Sequence, residues 1–278
     1  MKLDKFYTKP AIAEQCVSFL KEKLPLIGNE TYLEPSAGNG SFLVYLPQFT
    51  AIDIKPEGSN IQAVDFFTYS TPADICIGNP PFGSRSAMAI KFFNHAAELC
   101  SIIAFILPVS FMKWGVQKQL AAEWKLYDYF YIPENAFTDN GKDYSVRCVF
   151  QIWTKADYGQ DLRLKKAPPI SHPDFKIWQY NATQQAYPCV EEDWEYAVYR
   201  QGYKDYSSLF TREDYEHIKE EMNKNIQFFF IKPLTEQAEQ FVRACDFSAL
   251  AERNIATPGF GKADFVGYYE EYLNERNH

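Results

Sequence analysis

The sequence predicts an α/β fold: a mostly parallel sheet that ends in an antiparallel hairpin, followed by a smaller α+β region. Three observations carry that expectation. Between residues 9 and 153, short apolar runs alternate with stretches of helical periodicity, the pattern of a parallel sheet covered by helices. The last two of these runs are joined by residues 133–145, too short for a crossover helix, so they should pair antiparallel. Past residue 155 the chain turns polar and proline-rich, and most of its excess acid lies beyond residue 159.

The elements follow in order. Ile12, Cys16, Val17, Leu20 and Leu24 recur at helical spacing, with Thr8 placed to cap and Pro10 in the first turn, so residues 9–24 form a helix. Seven strands are expected at 31–33, 50–54, 61–64, 74–77, 102–107, 127–132 and 146–153, with helices at 87–99 and 111–124. Residues 155–173 hold three prolines and read as a boundary, giving regions 1–155 and 156–278. In the second region a Thr-x-x-Asp capping pattern predicts a helix over 211–224, 226–231 a buried strand, and 235–253 another helix.

Composition narrows the function. With 278 residues, 46% hydrophobic and 23% charged, the chain has material for a sizeable core. Its 36 acidic and 28 basic side chains leave a formal charge of −8, which argues against binding nucleic acid through a broad basic surface. The six cysteines form no CxxC pair and only four histidines are present, so no metal is expected and the thiols should be reduced. No apolar run is long enough to span a membrane and the first residues lack a signal core, so a cytoplasmic protein with no membrane partner is expected. The 17% aromatic content fits either core packing or surfaces that stack on bases.

Four local patterns carry chemistry. Glu34-Pro35-Ser36-Ala37-Gly38-Asn39-Gly40 follows the strand at 31–33, where a helix should begin; small residues there admit a ligand close to the backbone, and the helix start offers free N–H groups. Leu43 stands where a dinucleotide fingerprint has its third glycine, which weakens that reading. Asp53 ends the second strand nineteen residues after Glu34, the distance at which an acid meets a ribose, with Ile54 beside it. Asp65, followed by Phe66, ends the third strand, so three carboxylates face one crevice; singly, each reads as an ordinary cap.

The fourth pattern is Asn79-Pro80-Pro81-Phe82, directly after the apolar strand at 74–77. Such a string arises by chance in on the order of one chain in a few hundred. The prolines stiffen the turn, so the Asn79 carboxamide oxygen and the Pro80 carbonyl become fixed acceptors for a flat amine. An amine on an aromatic ring is a weak nucleophile because its lone pair is delocalised. Two acceptors gripping its hydrogens favour a tetrahedral nitrogen that can attack an electrophilic methyl held in line. Phe82 would stack on the ring, which must first leave any base stack.

Over residues 5–155 the chain resembles the S-adenosylmethionine-dependent amino-methyltransferases with an NPPF/NPPY motif, especially adenine-N6 DNA methyltransferases of the gamma arrangement. The resemblance implies a Rossmann-like class I methyltransferase fold and S-adenosyl-L-methionine as cofactor. It implies that Phe6-Tyr7-Thr8-Lys9-Pro10 is the segment closing over the methionine end, that Glu34 to Gly40 is the glycine motif, that Asp53 holds the ribose, and that Asp65 with Phe66 packs on the cofactor adenine. Asn79 to Phe82 would be catalytic, and Phe137 a second aromatic on the flipped base. The expected substrate is DNA. RNA is the alternative, as is a non-catalytic subunit of this fold; a partner subunit is compatible with both. The acidic balance of the second region departs from the family's basic target-recognition domains.

Overall fold

The computed structural model describes residues 6–139, 141–180, 192–201, 205–214, 226–252 and 258–276. The chain divides into two compact units, Met1–Ala167 and Pro168–His278.

The first unit opens with a short strand β1 (Tyr7–Thr8) and helix α1 (Pro10–Lys23), whose buried face is Ala13, Cys16, Val17 and Leu20. Strands β2 (Tyr32–Glu34), β3 (Phe49–Asp53), β4 (Gln62–Ala63) and β5 (Ile75–Gly78) follow. Then come α2 (Ala87–Leu99), β6 (Ile102–Pro108), a one-turn α3 (Trp114–Gln117), β7 (Lys125–Tyr131), β8 (Phe137–Asp139), β9 (Lys142–Tyr144) and β10 (Cys148–Thr154). Seven of these strands form one sheet in the order β4-β3-β2-β5-β6-β10-β7. All pairings from β4 to β6 are parallel, whereas β10 runs antiparallel to both β6 and β7, so the expected seven-stranded sheet with its antiparallel end is present. The central strands are apolar throughout because both faces are covered: Ile103 to Leu107 are fully buried.

Three expectations are corrected. No α-helix follows the glycine motif; a single 3-10 turn (Leu43–Tyr45) forms, because Gly38 and Gly40 adopt φ of 54° and 83° and Pro47 then bars continuation. The helix expected over 111–124 is reduced to a 3-10 turn (Val109–Met112) and α3. Gly115 weakens it, and the buried Gln117 side chain donates to the Phe111 carbonyl (2.8 Å) and accepts from Leu164 N (2.8 Å). Residues 133–145 are more than a connector, since β8 and β9 pair with β1 into a separate three-stranded sheet, β1-β8-β9.

Beyond Thr154 the chain packs onto the first unit as far as Ala167. Arg163 explains this. Its guanidinium donates to the carbonyls of Ala121 (2.6 Å), Ala122 (3.2 Å), Trp124 (2.9 Å), Gln117 (2.8 Å) and Leu120 (2.9 Å), satisfying backbone that a helix would otherwise have satisfied. Replacing Arg163 with Ala strands several partly buried carbonyls and should destabilise the first unit by about 3 kcal/mol or more in chemical denaturation. Arg163→Lys should not rescue it, because an ammonium lacks the planar fork.

The second unit holds a four-stranded antiparallel sheet in the order β11-β14-β12-β13, made of β11 (Phe175–Gln179), β12 (Tyr196–Gln201), β13 (Leu209–Thr211) and β14 (Gln227–Pro233). The helix expected over 235–253 breaks into α4 (Glu236–Ala244) and α5 (Phe247–Glu252), because the Asp246 carboxylate accepts from Ala249 N (2.9 Å) and starts a new helix. Helix α6 (Lys262–Arg276) completes the unit. Much of the aromatic content is core: Phe228, Phe229, Phe230, Phe260, Phe265 and Tyr269 are fully buried together. Arg200 donates to the Phe260 carbonyl (2.8 Å) and belongs to this packing. Residues 215–224, most of the helix expected over 211–224, lie outside the described residues. Cys16, Cys76, Cys100 and Cys148 are buried free thiols. Among the described residues, no helix is long and apolar enough to cross a membrane.

Candidate active site

Strand order reverses between β2 and β5: from β2 the sheet grows outward through β3 to β4, and from β5 through β6 the other way. Ligands of open α/β sheets bind outside the carboxyl ends of strands at such a reversal. A cavity of about 340 Å³ opens there, and its wall includes Glu34, which ends β2, and Asn79, which follows β5.

Glu34 is 2% exposed, and its Oε2 has no hydrogen-bond partner. Burial, with added repulsion from Asp53, holds its carboxyl well above the ordinary value of 4.5. A buried carboxyl with an unused acceptor oxygen is a receptor for a cation, because a bound positive charge would favour the ionised form that burial opposes. Gly78 makes room for it: a Cβ there would sit 3.2 Å from Glu34 Cγ, and the residue holds φ of 153°.

Asp53 organises the glycine turn. Its two carboxylate oxygens accept from Gly38 N (2.8 Å) and Lys55 N (2.7 Å), and each retains lone-pair capacity for a ligand hydroxyl. Gly38, at φ of 54°, lies under the Tyr7 ring, which a Cβ would approach to 3.2 Å; Tyr7 in turn donates to Glu57 (2.5 Å). Asp65 begins the 3-10 turn Phe66–Thr68 and accepts from Phe67 N (3.0 Å). Phe66 is buried between Phe92 and His95, while Phe67 and Ile54 are 41% and 59% exposed, so this end of the cavity offers apolar faces beside a carboxylate.

Across the reversal, the Asn79 carboxamide donates through Nδ2 to the Phe6 carbonyl (3.3 Å) and Thr8 Oγ1 (3.2 Å). Its Oδ1 is buried without a partner. The Phe82 carbonyl accepts from Met88 N (3.2 Å) and Ala89 N (3.3 Å), tying the end of the turn to α2. Immediately after it, Arg85 and Ser86 both adopt left-handed backbone (φ of 51° and 63°), a strained pair held by the contact between Ser86 Oγ and Ser110 Oγ (2.7 Å).

One cavity therefore collects Tyr7, Thr8, Glu34, Pro35, Ser36, Ala37, Gly38, Asp53, Ile54, Asp65, Phe66, Asn79, Pro80, Pro81 and Phe82. Three candidates lie elsewhere. Pro10 is exposed at the start of α1, Gly40 serves the turn behind the wall, and Phe137 is 1% exposed, packed in the core opposite Thr8 in the β1-β8 pairing. Lys55, Phe67, Met88 and Phe92 also line the cavity and were not anticipated. Met88 and Phe92 carried a usable signal, an i, i+4 pair on the helix that follows the Asn79 turn.

No protein-family model and no curated protein sequence matches the chain. Solved structures do. A candidate RNA methyltransferase from Pyrococcus horikoshii is 17% identical over 55% of this chain and 87% of that one, with a TM-score of 0.45. A dimethyladenosine transferase from Plasmodium falciparum is 14% identical over 53% and 62%, with a TM-score of 0.36. The M protein of the type I restriction enzyme EcoKI is 12% identical over 98% and 73%, with a TM-score of 0.42.

Proposed function

We propose that the chain is an S-adenosylmethionine-dependent methyltransferase acting on the exocyclic N6 amine of adenine in DNA. The observation that carries this reading is the pair of buried, unpartnered acceptors, Glu34 Oε2 and Asn79 Oδ1, on the wall of one cavity at the sheet's reversal. The residues present suit the cofactor: Glu34 for its ammonium, Asp53 for its ribose hydroxyls, and Asp65 with Phe66 and Ile54 for its adenine. When bound, it supplies an electrophilic methyl on a sulfonium.

The chain's own residues do the rest. Asn79 Oδ1 and the Pro80 carbonyl accept the two amine hydrogens and localise the nitrogen lone pair for attack. Phe82 stacks on the extruded base and fixes its plane. The methylated nitrogen is cationic and sheds its proton to solvent by way of the same two acceptors, so no separate general base is needed.

The test is transfer of a labelled methyl to duplex DNA, single-stranded DNA and structured RNA at low salt, with products digested and identified by mass. Label in N6-methyladenine from DNA is the expected result. Label in RNA alone would replace the DNA assignment. Cofactor binding without transfer to any of the three would overturn the nucleic-acid reading.

A further inference from the structure

We propose that Thr8 is a positioning residue that, together with the Phe6 carbonyl, holds the Asn79 carboxamide with its oxygen offered to the substrate; the proposal rests on the methyl-transfer reading of the site. The two ends of an asparagine amide are alike in shape, and only their partners decide which side carries the NH₂. The Phe6 carbonyl can only accept, so it selects the orientation in which Nδ2 faces β1. Thr8 Oγ1, on a residue 5% exposed, accepts from the same Nδ2 at 3.2 Å, so both N–H bonds have an acceptor. What Asn79 has left to offer is Oδ1. Turned through half a rotation, the amide would present its own N–H groups to a substrate amine, and donor would face donor.

The position of the hydroxyl is set by the sheet that carries it. Tyr7 and Thr8 pair with Thr138 and Phe137, Lys9 N donates to the Ala136 carbonyl (3.0 Å), and the Phe6 ring stacks on Tyr144 at 4.2 Å and 4°. Thr8 thus carries the geometry of the β1-β8-β9 sheet to an atom that touches the substrate. This differs from the role the family resemblance implies, contact with the cofactor.

The experiment uses the full chain, labelled with ¹⁵N-asparagine, as wild type, Thr8→Val and Thr8→Ser, with the Asn79 side-chain signals identified by their loss in Asn79→Asp. In Thr8→Val one Asn79 amide proton should move and exchange faster with solvent, and Thr8→Ser should restore both. In parallel, kcat should fall about tenfold in Thr8→Val. The affinity for S-adenosylmethionine, measured by calorimetry, should be unchanged, and Thr8→Ser should recover the rate. If Thr8→Val does not fold, Thr8→Ala removes the hydroxyl and gives the same readouts. Coincident Asn79 signals in wild type and the hydroxyl-free variant overturn the proposal, as does weakened cofactor affinity at unchanged kcat. Absence of methyl transfer by the wild type would instead sink the methyl-transfer reading, while the amide signals still decide whether Thr8 holds Asn79.

Discussion

Asn79→Ala should lower single-turnover methyl transfer by about 10³-fold while leaving S-adenosylmethionine affinity within a few-fold. The substitution deletes the one side-chain acceptor on the substrate amine, an interaction that strengthens only as the nitrogen becomes tetrahedral, so the loss falls on the rate. The turn itself should survive, since Pro80 and Pro81 keep their restricted backbone and the Phe82 carbonyl keeps its bonds to Met88 and Ala89. Thr8 Oγ1 and the Phe6 carbonyl lose their shared donor, so a modest fall in stability of about 1–3 kcal/mol accompanies the change. Turnover retained at near wild-type rate would refute the assigned role.

Glu34→Gln should separate stability from binding. Glutamine keeps the shape but loses the charge, and affinity for the cationic cofactor should fall by about ten- to a hundredfold. The ligand-free protein should respond in the opposite sense. Because the folded carboxyl lies above its ordinary value of 4.5, the native chain holds that proton to higher pH than the unfolded chain does. The native state therefore binds more protons in that window, and stability declines as pH rises from 4.5 toward the folded value. Glutamine has no such titration. In melting curves taken from about pH 5 to pH 9, the Tm of the variant relative to wild type should climb with pH. A pH-independent difference, or undiminished cofactor affinity, would count against a buried carboxyl waiting for a cation.

Three parts of this site that sequence reasoning located share one property: each sits where a strand stops. Glu34, Asp53 and Asn79 come directly from the ends of β2, β3 and β5, so a correct reading of the strands placed them in one crevice without any knowledge of packing. Phe137 failed for the complementary reason. Its neighbourhood is decided by a pairing with residues some 130 positions earlier, which no local pattern encodes, and that pairing turns the ring into the core. The missing helices failed where tertiary hydrogen bonds outbid local propensity, Arg163 taking carbonyls over 117–124 and Asp53 fixing Gly38 in a left-handed turn.

The pairing of β1 with β8 also orders events in time. Strand β1 cannot dock until its partner some 130 residues later has left the ribosome, on the order of ten seconds at ordinary elongation rates. Over that interval the glycine turn and the Asn79 turn can be made, but Tyr7 is not yet across Gly38 and nothing holds the Asn79 amide. Until β8 arrives this side of the site stays open on the nascent chain, a window of exposure to chaperones and to aggregation.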